Sequence, residues 1–132
     1  NLLHAMTANQ TDVFGCGVCA YSNDIKQKLL NVSAKTLADH GAVSAETARE
    51  MAAGVRALSG ADIGISITGI AGPGGGSAEK PVGLVWFGVN CAAFQETSKQ
   101  LFSRGHKEER GMIRNLATLY ALDLIRRAAL RL

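Results

Sequence analysis

The stretch from Ala61 to Asn90, ADIGISITGIAGPGGGSAEKPVGLVWFGVN, decides the fold of this chain. Two apolar runs rich in β-branched residues, Ile63 to Thr68 and Val82 to Val89, flank a thirteen-residue loop from Gly69 to Pro81. The loop holds five of the fifteen glycines and both prolines. Short apolar runs bounded by such residues are typical of buried strands. The sequence therefore predicts two strands joined by a loop of fixed shape.

The glycines of this loop point to a role in binding. Glycine adopts positive φ at little cost and lets a backbone N–H approach a ligand closely, and Pro73 fixes the chain direction before Gly74, Gly75 and Gly76. The P-loop and Rossmann phosphate motifs are both absent, and a strand rather than a helix follows. We expect turn amides to form a cradle for an anion or a nucleotide-like group. The alternative is a flexible hairpin tip.

Length and composition describe an ordinary soluble domain. The chain has 132 residues, of which 47% are hydrophobic and 19% charged, which fits a single globular domain. The net charge of +3 is small and scattered, and the basic residues lack interleaved aromatics, so we expect no nucleic-acid partner. No apolar run approaches the roughly 18 residues of a membrane span, and we expect no signal peptide. These features predict a cytoplasmic protein without a membrane partner.

The three cysteines predict neither a redox pair nor a metal site. Cys16 and Cys19 have the Cys-x-x-Cys spacing, but a strand sends residues three apart to opposite faces. No second pair or neighbouring histidine completes a zinc site with Cys91. We expect buried, reduced thiols and no bound metal.

The chain before the glycine loop predicts one strand and several helices. Asn1 to Ala8 has helical apolar spacing without an N-cap, as in the back half of a longer helix, and Asp12 to Ala20 predicts a first buried strand. A helix should start among Ser22, Asn23 and Asp24, which are all good N-caps. Two further helices are predicted at Ser33 to His40 and Ser44 to Leu58.

Behind the second predicted strand, Phe94 to Ser103 predicts an edge strand, and Lys107 to Leu132 predicts one long amphipathic helix. Arg110 and Arg114 stand four apart in the first turns of that helix, where the helix dipole disfavours cations. Cations are tolerated there when an anion or a carboxylate pairs with them.

Ser22 and Lys26 would lie on one face of the first turn of their helix. Strand ends that feed helices are where open α/β sheets place their ligands. Spacing alone favours an N-cap serine beside a solvated lysine, and a ligand site is the alternative.

Several segments together resemble one family. They are Tyr21 to Lys26 (Tyr-Ser-Asn-Asp-Ile-Lys), His40 to Ser44 (His-Gly-Ala-Val-Ser), Thr68 to Gly76 (Thr-Gly-Ile-Ala-Gly-Pro-Gly-Gly-Gly) and Glu79 to Gly83 (Glu-Lys-Pro-Val-Gly). The chain resembles the C-terminal domain of the competence/damage-inducible protein CinA, whose stand-alone members are nicotinamide mononucleotide (NMN) deamidases. The resemblance implies an α/β protein, a three-layer α/β/α sandwich with a mixed, mostly buried sheet. It also implies a homodimer or higher homo-oligomer that hydrolyses a small-molecule nucleotide without a metal or organic cofactor.

The resemblance also assigns roles to individual residues. The family motif Tyr-Ser-Asn-x-x-Lys, whose lysine works with a catalytic serine, makes Lys26 and Tyr21 catalytic and places Ser22 and Asn23 at the substrate. Arg110 matches an arginine that the family uses near the substrate. The loop residues implied in substrate binding are Thr68, Gly69, Gly72, Gly74, Gly75 and Gly76.

One departure from the family bears on activity. The family's nucleophilic serine belongs to a Glu-Ser-Cys-Thr-Gly-Gly motif at the start of a helix that continues as Leu-Leu, and this sequence opens at Asn1-Leu2-Leu3. Asn9-Gln10-Thr11 stands where the family usually has Pro-Gly-Ser-Ser. We therefore expect residues 1–132 to form a single domain that lacks the start of its N-terminal helix and has impaired deamidase activity. The alternative function is a non-catalytic nucleotide-binding or regulatory module.

Overall fold

The computed structural model describes residues 13–105 and 109–132. The predicted helix at Asn1 to Ala8 lies outside these ranges, and so do the first residues of the predicted last helix. The elements follow in the order α1 (Asn23–Leu30), α2 (Ala34–His40), α3 (Ala45–Ser59), β1 (Ile63–Gly69), β2 (Leu84–Cys91), β3 (Gln95–Leu101) and α4 (Arg110–Ala129).

The sheet forms around the two strands that the central stretch predicts. β1 pairs antiparallel with β2, with Thr68 opposite Trp86, and β2 pairs antiparallel with β3, with Phe87 opposite Ser98. The strand order is β1-β2-β3, so β3 is at the edge of the sheet that the described residues form, as predicted.

One face of the sheet packs against α4 through apolar side chains. Val85 and Phe87 from β2 form a buried cluster with Ile113, Ala117 and Ala121 from α4. Phe87 is 0% exposed, and its ring lies 4.7 Å from that of Tyr120. This cluster fixes the position of α4 over the middle strand.

The opposite face packs against α3 through very close contacts. A Cβ on Gly88 would lie 2.2 Å from the carbonyl oxygen of Ala48, and a Cβ on Gly64 would lie 2.2 Å from that of Ala52. Ser66 donates from Oγ to the same Ala48 carbonyl at 2.6 Å. With α3 on one face and α4 on the other, the predicted three-layer α/β/α arrangement is confirmed.

The predicted first strand is wrong for the residues described. Side chains from Phe14 to Ala20 alternate between exposed and half-buried, as in a strand, but no strand is present there. Phe14 to Cys16 and Ile63 to Ile65 line a common cavity of about 460 Å³, so a gap separates this segment from β1. Gly15 and Gly17 also weaken strand formation, because glycine loses more backbone entropy on ordering than other residues.

The sheet is accordingly not mixed within residues 13–105 and 109–132. Both pairings there are antiparallel. Consecutive strands are joined by a loop or a tight turn without a crossover helix, and parallel neighbours need a crossover.

The thiols differ in part from expectation. All three cysteines are free, with Cys91 buried, Cys16 half-buried and Cys19 exposed. Cys16 and Cys19 lie in different environments, as expected for residues three apart in an extended segment. The prediction that Cys19 is buried is wrong, because this segment packs on one side only.

The helix starts are those predicted. Ser22, Ser33 and Ser44 cap α1, α2 and α3, each accepting a hydrogen bond at Oγ from a backbone N–H three residues later. Gly60 caps the C-terminal end of α3 with φ 69°. In the described part of the chain, no helix combines the length and the apolar character needed to cross a bilayer.

Candidate active site

Lys26 is a buried lysine in the first turn of α1. Its side chain is 6% exposed, and Nζ donates to the carbonyl oxygens of Ala20 at 2.8 Å and Tyr21 at 3.4 Å. Within residues 13–105 and 109–132 no carboxylate forms an ion pair with it. Burial lowers the pKa of Lys26 from its usual value, because desolvation disfavours the ammonium form. The chain path thus creates a lysine that loses its proton more easily than a solvated one.

The residues just before Lys26 have separate tasks. Ser22 accepts at Oγ from the N–H of Ile25 at 3.1 Å, so its hydroxyl is the N-cap of α1. Asn23 is the first residue of α1 and is exposed. Tyr21 is 86% exposed, which leaves its ring available to a ligand.

A cavity of about 310 Å³ lies where the C-terminal end of β1 meets the first turns of α4. Its volume is at the lower end of the range of about 300 to 1,000 Å³ typical of small-molecule sites. The α4 residues recur at helical spacing on one face, and the walls are mostly apolar with two arginines. The lining residues are Tyr21, Ile67, Gly69, Ala71, Val85, Arg110, Ile113, Arg114, Ala117 and Thr118.

The glycine loop is held in place at its base and at Gly72. Ile70 and Leu84 are joined by a backbone hydrogen bond of 2.9 Å that closes the base. Gly72 has φ 75°, and a Cβ there would lie 2.6 Å from a methyl carbon of Val82. Arg110 donates from Nη1 to the Gly72 carbonyl at 2.9 Å. The loop therefore has a defined path that depends on Arg110.

The tip of the loop offers unused donors. Gly74, Gly75 and Gly76 are exposed. Among the described residues, none accepts a hydrogen bond from their backbone N–H groups. Ser77, by contrast, donates its N–H to the Lys80 carbonyl at 2.9 Å. The tip thus has free N–H groups of the kind that anion-binding turns use.

Thr68 lies on the other face of the sheet from the cavity. It is 7% exposed, and Oγ1 donates to the Ala42 carbonyl at 2.6 Å. Alternation along β1 places Thr68 with Ser66 on the α3 side and Gly69 on the α4 side. The hydroxyl anchors the turn between α2 and α3 to the end of β1.

That turn is fixed by side chains along its whole length. Lys80 donates from Nζ to the His40 carbonyl at 2.5 Å, and Ser44 and Thr47 donate to the Gly41 carbonyl at 3.1 and 2.7 Å. His40 itself ends α2, as the sequence indicates. The Lys80 contact ties this turn to the glycine loop.

The structure brings together only part of the predicted set. Tyr21, Gly69 and Arg110 line one cavity, Lys26 binds the Tyr21 carbonyl, and Gly72 is held by Arg110. Lys26 and Gly72 do not line this cavity themselves, and neither do Ser22, Asn23, Thr68, Gly74, Gly75 and Gly76.

Sequence reasoning assigned Arg114 and Thr118 no part in the site. Both line the cavity, and both follow Arg110 at intervals of four on α4. Residues four apart on a helix share a face. This spacing was therefore the sequence feature that could have predicted Arg114 and Thr118 at the site of Arg110. No group of three or more His, Cys, Asp or Glu residues able to hold a metal ion occurs in the described ranges.

Comparison with known proteins identifies the family. The model of the CinA C-terminal domain matches residues 4–129. The chain belongs to the CinA C-terminal domain family. A "CinA-like protein" of Kosmotoga olearia is 50% identical over 125 residues, covering 95% of this chain and 29% of that protein. A "putative competence-damage inducible protein" of Alkaliphilus metalliredigens is 47% identical over 121 residues, covering 92% of this chain and 28% of that protein. The chain thus spans less than a third of these curated CinA relatives.

Solved CinA-family structures share the fold. The competence damage-inducible protein A of Klebsiella pneumoniae aligns with a TM-score of 0.83 at 36% identity, covering 92% of this chain and 73% of that one. A CinA superfamily protein of Escherichia coli aligns with a TM-score of 0.85 at 30% identity, covering 94% of this chain and 70% of that one. Both are α/β proteins, which confirms the predicted fold class.

Proposed function

We propose that this CinA domain is an amidohydrolase of the nicotinamide-nucleotide type, which converts NMN and water to nicotinic acid mononucleotide and ammonia. The observation that carries the proposal is Lys26, a buried lysine with a lowered pKa. Its Nζ binds the backbone of Tyr21, a residue that lines the cavity, although Lys26 itself does not. A lysine whose pKa is lowered by burial gives up its proton more readily, and in its neutral form it can act as a general base.

The chemistry assigns one step to Lys26 in a chain that carries the family's Glu-Ser-Cys-Thr-Gly-Gly motif. The serine oxygen bonds to the carboxamide carbon while Lys26 accepts the hydroxyl proton. That proton then passes to the amide nitrogen as the C–N bond breaks, and ammonia leaves. Water hydrolyses the resulting ester, which gives the acid and restores the serine. Backbone N–H groups of the glycine loop stabilise the tetrahedral oxyanion.

The nucleotide partner fits the charge of the cavity. Arg110 and Arg114 line it, and no carboxylate among the described residues does. An excess of positive charge in a concave site favours an anionic ligand. We therefore place the phosphate end of the nucleotide near the two arginines of α4, in an enzyme that needs no metal or organic cofactor.

The test replaces Lys26 in a longer form of the protein that includes the serine motif. Lys26→Arg keeps the positive charge but removes the ability to deprotonate at physiological pH. We expect the rate of ammonia release from NMN to fall at least about a hundredfold, the lower range for loss of a general base. Lys28→Arg, an exposed position paired with Asp24 on the same helix, is the matched control. Near-normal turnover of Lys26→Arg would reject the base assignment.

A non-catalytic nucleotide-binding module is the second candidate, and one observation favours it. In the described residues the hydrogen-bond partners of Lys26 Nζ are backbone carbonyls, and Ser22 Oγ is used as a helix cap. We accordingly expect residues 1–132 to bind NMN with little or no ammonia release. Ammonia release by this chain that disappears in Ser22→Ala would overturn that expectation.

A further inference from the structure

The two arginines of the cavity are not equivalent. Arg110 donates from Nη1 to the Gly72 carbonyl, so part of its guanidinium is committed to the loop. The Arg114 guanidinium has no hydrogen bond, ion pair or ring contact with any residue in 13–105 or 109–132. It is exposed at the cavity and therefore retains its full set of five donors.

The position of Arg114 suits an anion. It lies one turn after Arg110 on the same face of α4, and both line a cavity that has no described carboxylate. Since Arg114 has no partner within the described ranges, its charge is available there to solvent or to a ligand. The planar fork of a guanidinium matches two oxygens of a phosphate group.

We propose that Arg114 is the specificity-determining residue that binds the phosphate monoester of the substrate, and that Arg110 is a positioning residue that holds the glycine loop. This inference rests on the proposed function, since it names the end of the nucleotide that Arg114 binds. It divides between two arginines the role near the substrate that the family resemblance assigned to Arg110.

The two roles predict different losses. Removing a phosphate ligand weakens binding of the nucleotide and leaves binding of the nucleoside unchanged. Removing the Gly72 contact alters a loop that both ligands meet, so both lose affinity by a similar factor. The comparison of NMN with nicotinamide riboside therefore separates the roles.

The experiment is calorimetric titration of residues 1–132 with NMN, nicotinamide riboside and inorganic phosphate. For Arg114→Ala we expect NMN binding to weaken tenfold to a hundredfold, as for a charge-assisted hydrogen bond, with less than about a twofold change for the riboside. Arg110→Ala should weaken both ligands by a similar factor. Arg127→Ala removes an exposed arginine of the same helix that is paired with Asp123, and it should change neither.

The outcomes separate this inference from the proposed function. Equal losses for both ligands in Arg114→Ala, or no loss for either, would overturn the phosphate role, and a loss confined to NMN in Arg110→Ala would reverse the two assignments. If the wild-type chain binds neither NMN nor the riboside, the proposed function fails. Inorganic phosphate then still decides the role of Arg114: binding lost in Arg114→Ala supports it, and binding that is absent or unaffected rejects it.

Discussion

At the scale of single residues, Lys26 makes the stability of the domain depend on pH. Burial lowers its pKa below the usual 10.5 in the folded state. Between the lowered value and 10.5 the unfolded chain therefore holds a proton that the folded chain has released. In that pH window the free energy of unfolding rises with pH. At lower pH the folded domain holds a charged, desolvated lysine, which lowers its stability.

We predict that Lys26→Met, which fills the same space without a charge, removes this dependence. The unfolding free energy of the wild type should rise relative to that of the variant as pH increases towards 10.5, because the folded wild type releases its lysine proton before the unfolded chain does. Urea titrations of both proteins at several pH values measure it. Lys28→Met, at an exposed position on α1, should show no such trend. A difference for Lys26→Met that is constant with pH would mean that the folded state leaves the pKa of Lys26 at its ordinary value.

The sequence alone predicted the start of α1 and its N-cap at Ser22, because an N-cap interacts with a backbone N–H only three residues later. It did not find the burial of Lys26, since the carbonyls of Ala20 and Tyr21 reach Nζ only through the path of the preceding segment. For Thr68, strand alternation was visible in the sequence, but which face meets α3 and which meets α4 is set by tertiary packing. The hydroxyl expected at the ligand therefore binds Ala42.

At the scale of elements, α3 and the sheet touch through glycines. We predict that Gly88→Ala destabilises the domain by about 3 kcal/mol, the upper range for overpacking, because its Cβ would meet the Ala48 backbone at 2.2 Å. The melting temperature should fall by about 10 °C for a domain of this size. Gly74→Ala is the control, since nothing lies within 4 Å of a Cβ there. A fall of similar size in both variants would show that the α3 contact is not the cause.

The helices could be predicted because their ends are marked by a few neighbouring residues. The predicted first strand was wrong because a strand depends on residues far away in the sequence. Serine caps and Gly60 define the ends of α1, α2 and α3 from a few neighbouring residues. The segment from Phe14 to Ala20 has the alternation of a strand, but a strand also needs a partner, and a cavity lies between the start of this segment and β1. Pairing is a non-local property that periodicity does not contain.

At the scale of the molecule, the candidate site exists only where three parts of the chain meet. Tyr21 precedes α1, Gly69 ends β1, and Arg110 begins α4. The turn between α2 and α3 is tied to the same region through Lys80 and Thr68. The cavity thus depends on the packing of all three layers, which explains why residues distant in sequence had to be assigned through a family resemblance.

The described surface also leaves large apolar side chains exposed on and after α4. Leu119, Leu130 and Leu132 are 52%, 76% and 64% exposed, whereas the opposite side of α4 packs on the sheet. Burying such side chains is favourable at about 25 cal/mol per Å² of apolar area. We propose that the domain self-associates as a two-fold dimer, with the outer face of α4 as the contact.

The last prediction tests this contact at Leu119. Near a two-fold axis a residue lies close to its own copy, so Leu119→Lys would replace an apolar contact with two repelling charges and should shift the protein to monomer. Leu58→Lys changes a leucine of similar exposure, 54%, on α3, in the layer across the sheet, and should leave the dimer intact. Sedimentation equilibrium at about 50 μM, above the Kd of a micromolar dimer, measures all three proteins. A monomeric wild type would reject self-association at that concentration, and a dimer that survives Leu119→Lys but not Leu58→Lys would move the contact to the α3 layer.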